Sequence, residues 1–326
     1  MMRAAFTALS GLWLAALAVP VLAEDPATGQ AIAIPADFAE LRAKDARIQR
    51  LGHELATANA PFCEETRPSP GLMLHDIAAY GDSALLREAL GLNGDIAVQV
   101  AVPGGPADGL LARDTAIRAV AGQEVADAVF DEERKWLRMT SLNTRMETAL
   151  EKTGQVTLTT ADGRDVTIAG TPACATRFEI GAIGKRAAAD GRRVVIGEEF
   201  PGLAYDDPEL AAVIAHELAH NILRHRALLD ERGRKRRLVR ATEREADRLA
   251  PWLIANAGYD PAAATRFMQA WGPDHSGGWL LRKRTHDGWD ERAQTIAAEV
   301  ALVRSHMAAS GRADWKTHFV REGETR

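Results

Sequence analysis

Two histidines and a glutamate form the pattern with the clearest chemical meaning in this sequence of 326 residues. His216, Glu217 and His220 spell His-Glu-x-x-His within a run of mostly apolar residues that begins at Ala211. Residues four apart on a helix project from one face, so the two imidazoles can bind one tetrahedral zinc ion. Glu217 can then reach a water molecule at the open coordination position and act as its general base. A chance match on an ordinary amphipathic helix, with the histidines satisfied by hydrogen bonds, is the alternative.

A second pattern supplies a candidate for the third metal ligand. The segment from Thr242 to Ala250 contains Glu-x-x-Ala-Asp, in which Glu243 and Asp247 are four residues apart and share a helix face. A carboxylate on a neighbouring helix is a usual third ligand for a zinc ion held by two histidines. If Glu243 binds the metal, Asp247 can accept a hydrogen bond from a ligand histidine and fix its tautomer. A solvated charge on a helix rich in Arg and Glu is the alternative interpretation of Glu243.

The two patterns together resemble the signature of a zinc peptidase family, peptidase family M48. That family includes the CAAX-prenyl proteases, the HtpX-type heat-shock proteases and the BepA-type periplasmic proteases. The resemblance implies that Glu243, rather than Glu245, is the third ligand of one Zn²⁺ per chain. It also implies a mostly helical, zincin-like (gluzincin) metallopeptidase domain with a short sheet.

A histidine and an arginine further along the chain resemble two more residues of that family. Thr285-His286-Asp287 corresponds to a Thr-His-Pro segment, and Arg292 follows it. The resemblance implies that His286 faces the metal cleft, where it stabilises the tetrahedral oxyanion or occupies the fourth zinc position as a brake. Arg292 would help to stabilise the same charge. Aspartate in place of proline is expected to loosen this loop, and a surface histidine is the alternative for His286.

Two further predictions concern the helix of the first motif and its surroundings. Asp207 is expected to cap this helix, with Pro208 at its first position. His225 follows His220 by five residues, so it should be rotated by ~140° from the metal face and is not expected to be a ligand. The basic run between Arg232 and Arg240 is interpreted as a solvated surface, with a binding site for a specific anionic partner as the alternative.

Composition and the N-terminal residues indicate the compartment and the partners. Hydrophobic residues make up 46% of the chain and charged residues 26%, as in globular proteins, and a net charge of −5 argues against nucleic acid as a partner. Residues 1–23 combine Arg3, an apolar stretch and small residues before Glu24, which predicts a cleaved secretory signal peptide. The mature protein is therefore expected in a periplasm or a similar exported space. An uncleaved anchor is the alternative, and peripheral membrane association is left open.

The predicted compartment determines how the two cysteines are interpreted. Cys63 and Cys174 form an even pair, which in an oxidising space is expected to be a disulfide. They bracket residues 66–171 closely, so a bridge would clamp the entry and exit strands of this segment. Two buried free thiols are the alternative.

Residues 66–171 have a mixed pattern that differs from the flanking segments. Residues 96–102 alternate like a strand, a helix with apolar positions from Val129 to Leu150 follows, and Asp162-Gly163 forms a hairpin turn. The strand and its Pro-Gly-Gly-Pro-Ala turn resemble the bacterial form of a PDZ domain, with residues 71–74 in place of its carboxylate-binding loop. The resemblance implies a groove that binds the C-terminal end of a peptide by strand addition. An α+β insert without a ligand is the alternative.

These segments together predict an α+β protein with four parts. They are a signal peptide (1–23), an N-terminal helix of the peptidase domain (24–65), a PDZ-like insert (66–171) and a zinc metallopeptidase domain (172–326). The resemblance to zincins implies that the strand at 193–197 pairs its outer edge with the backbone of a polypeptide substrate.

The predicted function is a zinc-dependent endopeptidase of the cell envelope that cleaves unfolded or misassembled exported proteins. Two other classes stay open. One is a peptide-binding, chaperone-like quality-control module in which the PDZ-like insert dominates and proteolysis is gated or vestigial. The other is a structural zinc protein.

Overall fold

The computed structural model describes residues 23–24, 31–275 and 287–322, and about half of these are helical. The predicted signal peptide up to residue 22 and His286 lie outside the described residues. The helices are α1 (Ala36–Asn59), α2 (Ser83–Ala89), α3 (Trp136–Thr153), α4 (Asp207–Ile222), α5 (His225–Arg232), α6 (Arg236–Asn256), α7 (Ala263–His275), α8 (Trp289–Ser310) and α9 (Trp315–His318). The strands are β1 (Ala23–Glu24), β2 (Ala31–Ile32), β3 (Thr66–Ser69), β4 (Leu72–Asp76), β5 (Ile96–Ala101), β6 (Ile117–Val120), β7 (Gln123–Glu124), β8 (Gln155–Thr160), β9 (Asp165–Ala169), β10 (Thr171–Cys174), β11 (Arg177–Gly181), β12 (Ala187–Ala189) and β13 (Arg193–Gly197). Within these described parts, no helix has the length and apolar character that crossing a membrane requires.

The larger hydrophobic core combines α1 with elements that follow residue 173. Helix α1 buries Ile48, Leu51 and Leu55 in this core. Helix α4 is apolar nearly all round and lies in the middle of this core, in contact with α1, α6 and α7. The helix of the first motif is therefore buried, and its polar residues need partners inside the protein.

A three-stranded sheet covers the first motif on one side. Its order is β11-β13-β12, with β11 parallel and β12 antiparallel to β13. Because both edges of β13 are paired, the prediction that its outer edge binds substrate is wrong. The sheet has β11 and β12 at its edges, and β12, which packs against α4, consists of three alanines and was not predicted.

The segment between β3 and β10 forms a second hydrophobic core of its own. Strands β4 and β5 pair with each other, and β7-β6-β8-β9 form a four-stranded sheet that a bridge between Ala97 and Ala116 joins to β5. Helix α3 begins at Trp136, later than predicted, and Val129 is exposed. The helix buries Leu142, Met146 and Leu150 against these strands.

A disulfide closes this segment where it joins the larger core. Strands β3 and β10 pair antiparallel at its entry and exit, with Thr66 opposite Cys174. Cys63 and Cys174 are bonded, with their Cα atoms 5.6 Å apart. The predicted disulfide is therefore confirmed, and both cysteines lie in the larger core.

The start of α4 differs from the prediction. Asp207 is the first residue of the helix rather than its cap, and Asp206 precedes it without a capping side-chain bond. The carboxylate of Asp207 instead pairs with Arg47, at 2.7 Å, and with Arg50. Two guanidinium groups are stronger partners for a carboxylate than a backbone amide, and here they tie α4 to α1.

Candidate metal centre

Two adjacent helices bring three ligand atoms together at one point. Helix α4 carries His216 and His220, and helix α6, which packs against it, carries Glu243. The two Nε2 atoms are 3.2 Å apart, and they lie 3.5 and 3.7 Å from the Glu243 carboxylate oxygens. Ligand atoms placed tetrahedrally at ~2.0–2.1 Å from a zinc ion are about 3.3 Å from one another. The spacing of the three side chains therefore fits one such ion, and they form a group that could hold a metal.

Asp247 supports one of these histidines from behind. Its Oδ1 lies 3.1 Å from Nδ1 of His216, so the imidazole can donate there while Nε2 faces the metal position. Both Asp247 oxygens also accept hydrogen bonds of 2.7 Å from Arg292. Burial alone would raise the pKa of Asp247, but the Arg292 guanidinium and His216 lower it to about 2. Asp247 is thus ionised and lies where the sequence pattern placed it.

The two histidines titrate very differently in the metal-free protein. Burial opposes a charge on His216, but the carboxylates of Asp247 and Glu243 raise its pKa to about 10. Burial and the neighbouring His216 lower the pKa of His220 to about 3. The added proton of His216 is thus held by the two neighbouring carboxylates. A divalent cation can replace that proton and neutralise more of the buried negative charge.

Glu217 faces the same cavity as the ligand atoms. The cavity has a volume of about 570 Å³. Burial raises the pKa of Glu217 to about 7, although a hydrogen bond to the backbone amide of Ala189 opposes this rise. A carboxylate with a pKa near neutrality can both take and return a proton, as a general base must. Ala189 belongs to β12, so the edge strand and the candidate base lie side by side.

One wall of the cavity is mostly apolar. Phe200, Phe267, Met268 and Trp271 form this wall. The Trp271 ring lies 5.1 Å from that of Phe200 and stacks on Phe267 at 5.8 Å. A concave site with one apolar wall and a few converging polar groups is typical of a binding site for a small ligand or a short peptide segment.

Two predicted residues near the C-terminal end have different outcomes. Arg292 lines the cavity, but its Nε and Nη2 atoms bind Asp247, so it acts on His216 through that carboxylate. His286 lies outside the described residues. Asp287, which was expected to loosen the loop, is anchored by Arg244 at 3.0 Å on helix α6. The loop before Asp287 lies outside the described residues, so that expectation stays a prediction.

Sequence reasoning missed the role of His225. It is not one of the three candidate ligands, as predicted, but its ring is buried and contacts His220. The rotation of ~140° assumed one continuous helix. In the structure α4 ends at Ile222, Arg224 adopts a left-handed conformation with φ of 55°, and α5 begins at His225. This turn brings the His225 side chain back towards the site, and no helical period could have revealed it.

Comparison with known proteins supports one family. A sequence model described as peptidase family M48 matches residues 182–236. The matched segment covers β12, β13, α4 and the first motif, and it ends before Glu243. No curated protein matches the chain. The matched segment is thus similar to peptidase family M48, a family of zinc-dependent metallopeptidases, and the similarity supports a hydrolase.

Proposed function

We propose that this protein is a zinc-dependent endopeptidase of the cell envelope that cleaves unfolded or misassembled exported proteins. The observation that carries the proposal is the position of four side chains in one cavity. His216, His220 and Glu243 have the mutual spacing of tetrahedral ligands, and Glu217 lies beside them with a pKa near neutrality. A structural zinc site has no need of an adjacent base in a cavity of this size.

The proposed roles follow from these positions. A zinc ion held by His216, His220 and Glu243 would supply Lewis acidity, which lowers the pKa of water and polarises a peptide carbonyl. Glu217 takes the proton of the attacking water and returns it to the leaving amine. Asp247 holds His216 with Nε2 towards the metal position, and Arg292 holds Asp247. For His286 we retain stabilisation of the oxyanion or occupation of the fourth position as the proposed role.

The walls of the cavity support a polypeptide substrate in an extended form. Strand β12 is an edge strand, so its outer backbone groups can pair with a substrate strand. Main-chain pairing does not depend on the substrate's side chains, whereas the wall of Phe200, Phe267 and Trp271 favours an apolar side chain next to the cleaved bond. Both features suit unfolded chains, which expose backbone and apolar residues together.

The proposed location rests on two observations. Residues 1–23 have the pattern of a secretory signal peptide, and the Cys63–Cys174 disulfide suits an oxidising compartment. We therefore propose a periplasm or an equivalent exported space.

A second candidate function is supported by a groove in the segment between β3 and β10. Strand β4 pairs with β5 on one side, and a largely apolar cavity of about 390 Å³ lies along β4 and helix α3. Gly71, Met139 and Met146 are among the residues that line the groove. An extended peptide could add to β4 there. If this groove dominates, the protein is a peptide-binding, chaperone-like quality-control module with gated or vestigial proteolysis.

Incubation of the mature protein with unfolded casein separates the two candidates. The endopeptidase predicts internal cleavage that stops when the metal is chelated and returns when zinc is added. A folded protein of similar size should be cleaved much more slowly. Binding of casein without cleavage, under conditions in which zinc is bound, would favour the binding module instead.

A further inference from the structure

A buried pair, His225 and Glu245, extends the metal site beyond the three candidate ligands. The imidazole of His225 is 1% exposed. Its Nδ1 lies 2.9 Å from Nδ1 of His220, and its Nε2 lies 2.9 Å from Oε2 of Glu245. The pair thus connects a candidate ligand on α4 with a carboxylate on α6, two residues beyond Glu243.

The ligand role of His220 determines the direction of both hydrogen bonds. Its Nε2 faces His216 and Glu243, so a bound metal would take the lone pair of that nitrogen. A neutral imidazole then carries its proton on Nδ1. That N–H donates to Nδ1 of His225, which leaves His225 protonated at Nε2 and donating to Glu245. Only this arrangement satisfies every nitrogen of the two rings.

Glu245 is itself held by residues close to the C-terminal end. The side chain of Arg321 donates to Oε2 of Glu245 at 3.1 and 3.0 Å, and the backbone amide of Glu322 donates to Oε1 at 2.7 Å. Glu322 also pairs with Arg244, and Arg248 donates to the carbonyl of Val320 at 3.0 Å. The segment 320–322 is therefore fastened to α6 alongside Glu243.

We propose that His225 and Glu245 are positioning residues that fix the tautomer and the ring orientation of His220 for the metal, and that Arg321 locks Glu245 in place for this purpose. The proposal rests on the metal site of the proposed function. It makes the segment 320–322 a part of the metal centre, although this segment contributes no ligand. Groups that orient a ligand histidine typically change metal affinity by about 10–100-fold when they are removed.

The test compares zinc affinity among variants of the full mature chain, by competition with a chromogenic chelator. His225→Ala should weaken zinc binding by about 10–100-fold. His225→Asn should recover part of this loss, because its Oδ1 can accept the His220 proton in place of Nδ1. Arg321→Ala, at a half-buried position, should weaken binding several-fold and is expected to fold even if His225→Ala does not. With Co²⁺ in place of zinc, His225→Ala should also shift the visible absorption bands, which report ligand geometry.

Two control variants separate positioning from general stability. His75→Ala removes another buried imidazole, in the segment between β3 and β10, and should lower thermal stability with zinc affinity unchanged. Arg304→Ala removes an arginine that pairs with Asp260 at the surface, and should change neither quantity. Wild-type zinc affinity and an unchanged Co²⁺ spectrum in both His225→Ala and Arg321→Ala would overturn the positioning role of His225 and Glu245 but not the proposed function. A wild-type protein that binds no zinc would overturn both the proposed function and this positioning role.

Discussion

The Nδ1 atom of His216 lies 3.1 Å from Oδ1 of Asp247, and helix α6 supplies that carboxylate as well as Glu243. Three acidic residues at alternate positions of α6, namely 243, 245 and 247, thus serve the site in different ways. Glu243 faces both Nε2 atoms, Asp247 supports His216 directly, and Glu245 reaches His220 through His225. The arrangement explains why so charged a helix is packed against the apolar helix α4.

Asp247→Asn should weaken zinc binding by about 10–100-fold. In the wild type, Arg292 donates hydrogen bonds to both oxygens of the Asp247 carboxylate. Asparagine has only one acceptor oxygen, so it cannot accept all the hydrogen bonds that Arg292 and His216 donate. The measurement is chelator competition followed by metal analysis. Asp230→Asn, which alters an exposed ion pair, is the matched control. Unchanged zinc affinity in Asp247→Asn would show that this carboxylate does not orient the ligand.

Replacing both cysteines by serine should lower the free energy of unfolding, by at most ~4–5 kcal/mol on the chain-entropy account of a loop this long. The loss should be smaller than this limit because the enclosed segment has a hydrophobic core of its own, which shortens the effective loop. Urea unfolding with and without a thiol reductant measures it. The double variant Cys63→Ser/Cys174→Ser should be insensitive to reductant, and a wild-type protein equally insensitive would contradict the stabilising role.

Asp45 gives a prediction about pH, because it is buried where α1, β5 and β11 meet. Gln99 donates to its carboxylate at 3.1 Å, but burial dominates and raises its pKa from 3.8 to about 6. The folded protein therefore favours the protonated form. The stabilisation of the folded state by the protonated Asp45 carboxyl group is fully present below about pH 3.8 and is lost as pH rises through about 6. The shift corresponds to a cost on the order of 3 kcal/mol at neutral pH.

Asp45→Asn removes this cost and should raise the free energy of unfolding by about 1–3 kcal/mol at pH 8, with much less effect at pH 4. Thermal unfolding across this pH range measures the difference. A variant that is less stable than the wild type at pH 8 would show that the ionised carboxylate is well compensated in the folded state.

Met139→Asp tests the groove beside β4. A charge placed on this half-buried wall should weaken the binding of peptides with an apolar C-terminal residue by at least tenfold, because binding would bury an unpaired carboxylate. Fluorescence polarisation with a labelled peptide library measures it. Zinc content and casein cleavage should not change, since the groove and the metal cavity have different lining residues. Equal peptide binding by both proteins would remove the groove as a ligand site.

The metal site was predictable where local spacing determines geometry. His216 and His220 share a helix face whatever surrounds them, and the motif around Glu243 and Asp247 has the same property. The contact between the two helices depends on the tertiary fold, and it was predicted from the resemblance to a family rather than from helical periodicity.

Other features depend on breaks and partners that the sequence does not display. A left-handed Arg224 returns His225 to the site, although the helical pattern appears continuous. Strand β12 consists of alanines, which have low strand propensity, so backbone pairing alone defines it. Asp207 had the pattern of a cap, but two arginines from α1, remote in sequence, take its carboxylate.

Metal analysis together with casein cleavage, for the wild type and Glu217→Gln, tests the central claim most directly. The account predicts one zinc per chain in both proteins, chelator-sensitive cleavage by the wild type, and a loss of nearly all turnover in the variant. The reason is that Glu217 moves the proton without binding the metal. A wild-type protein without zinc, or a Glu217→Gln variant with full cleavage, would contradict it.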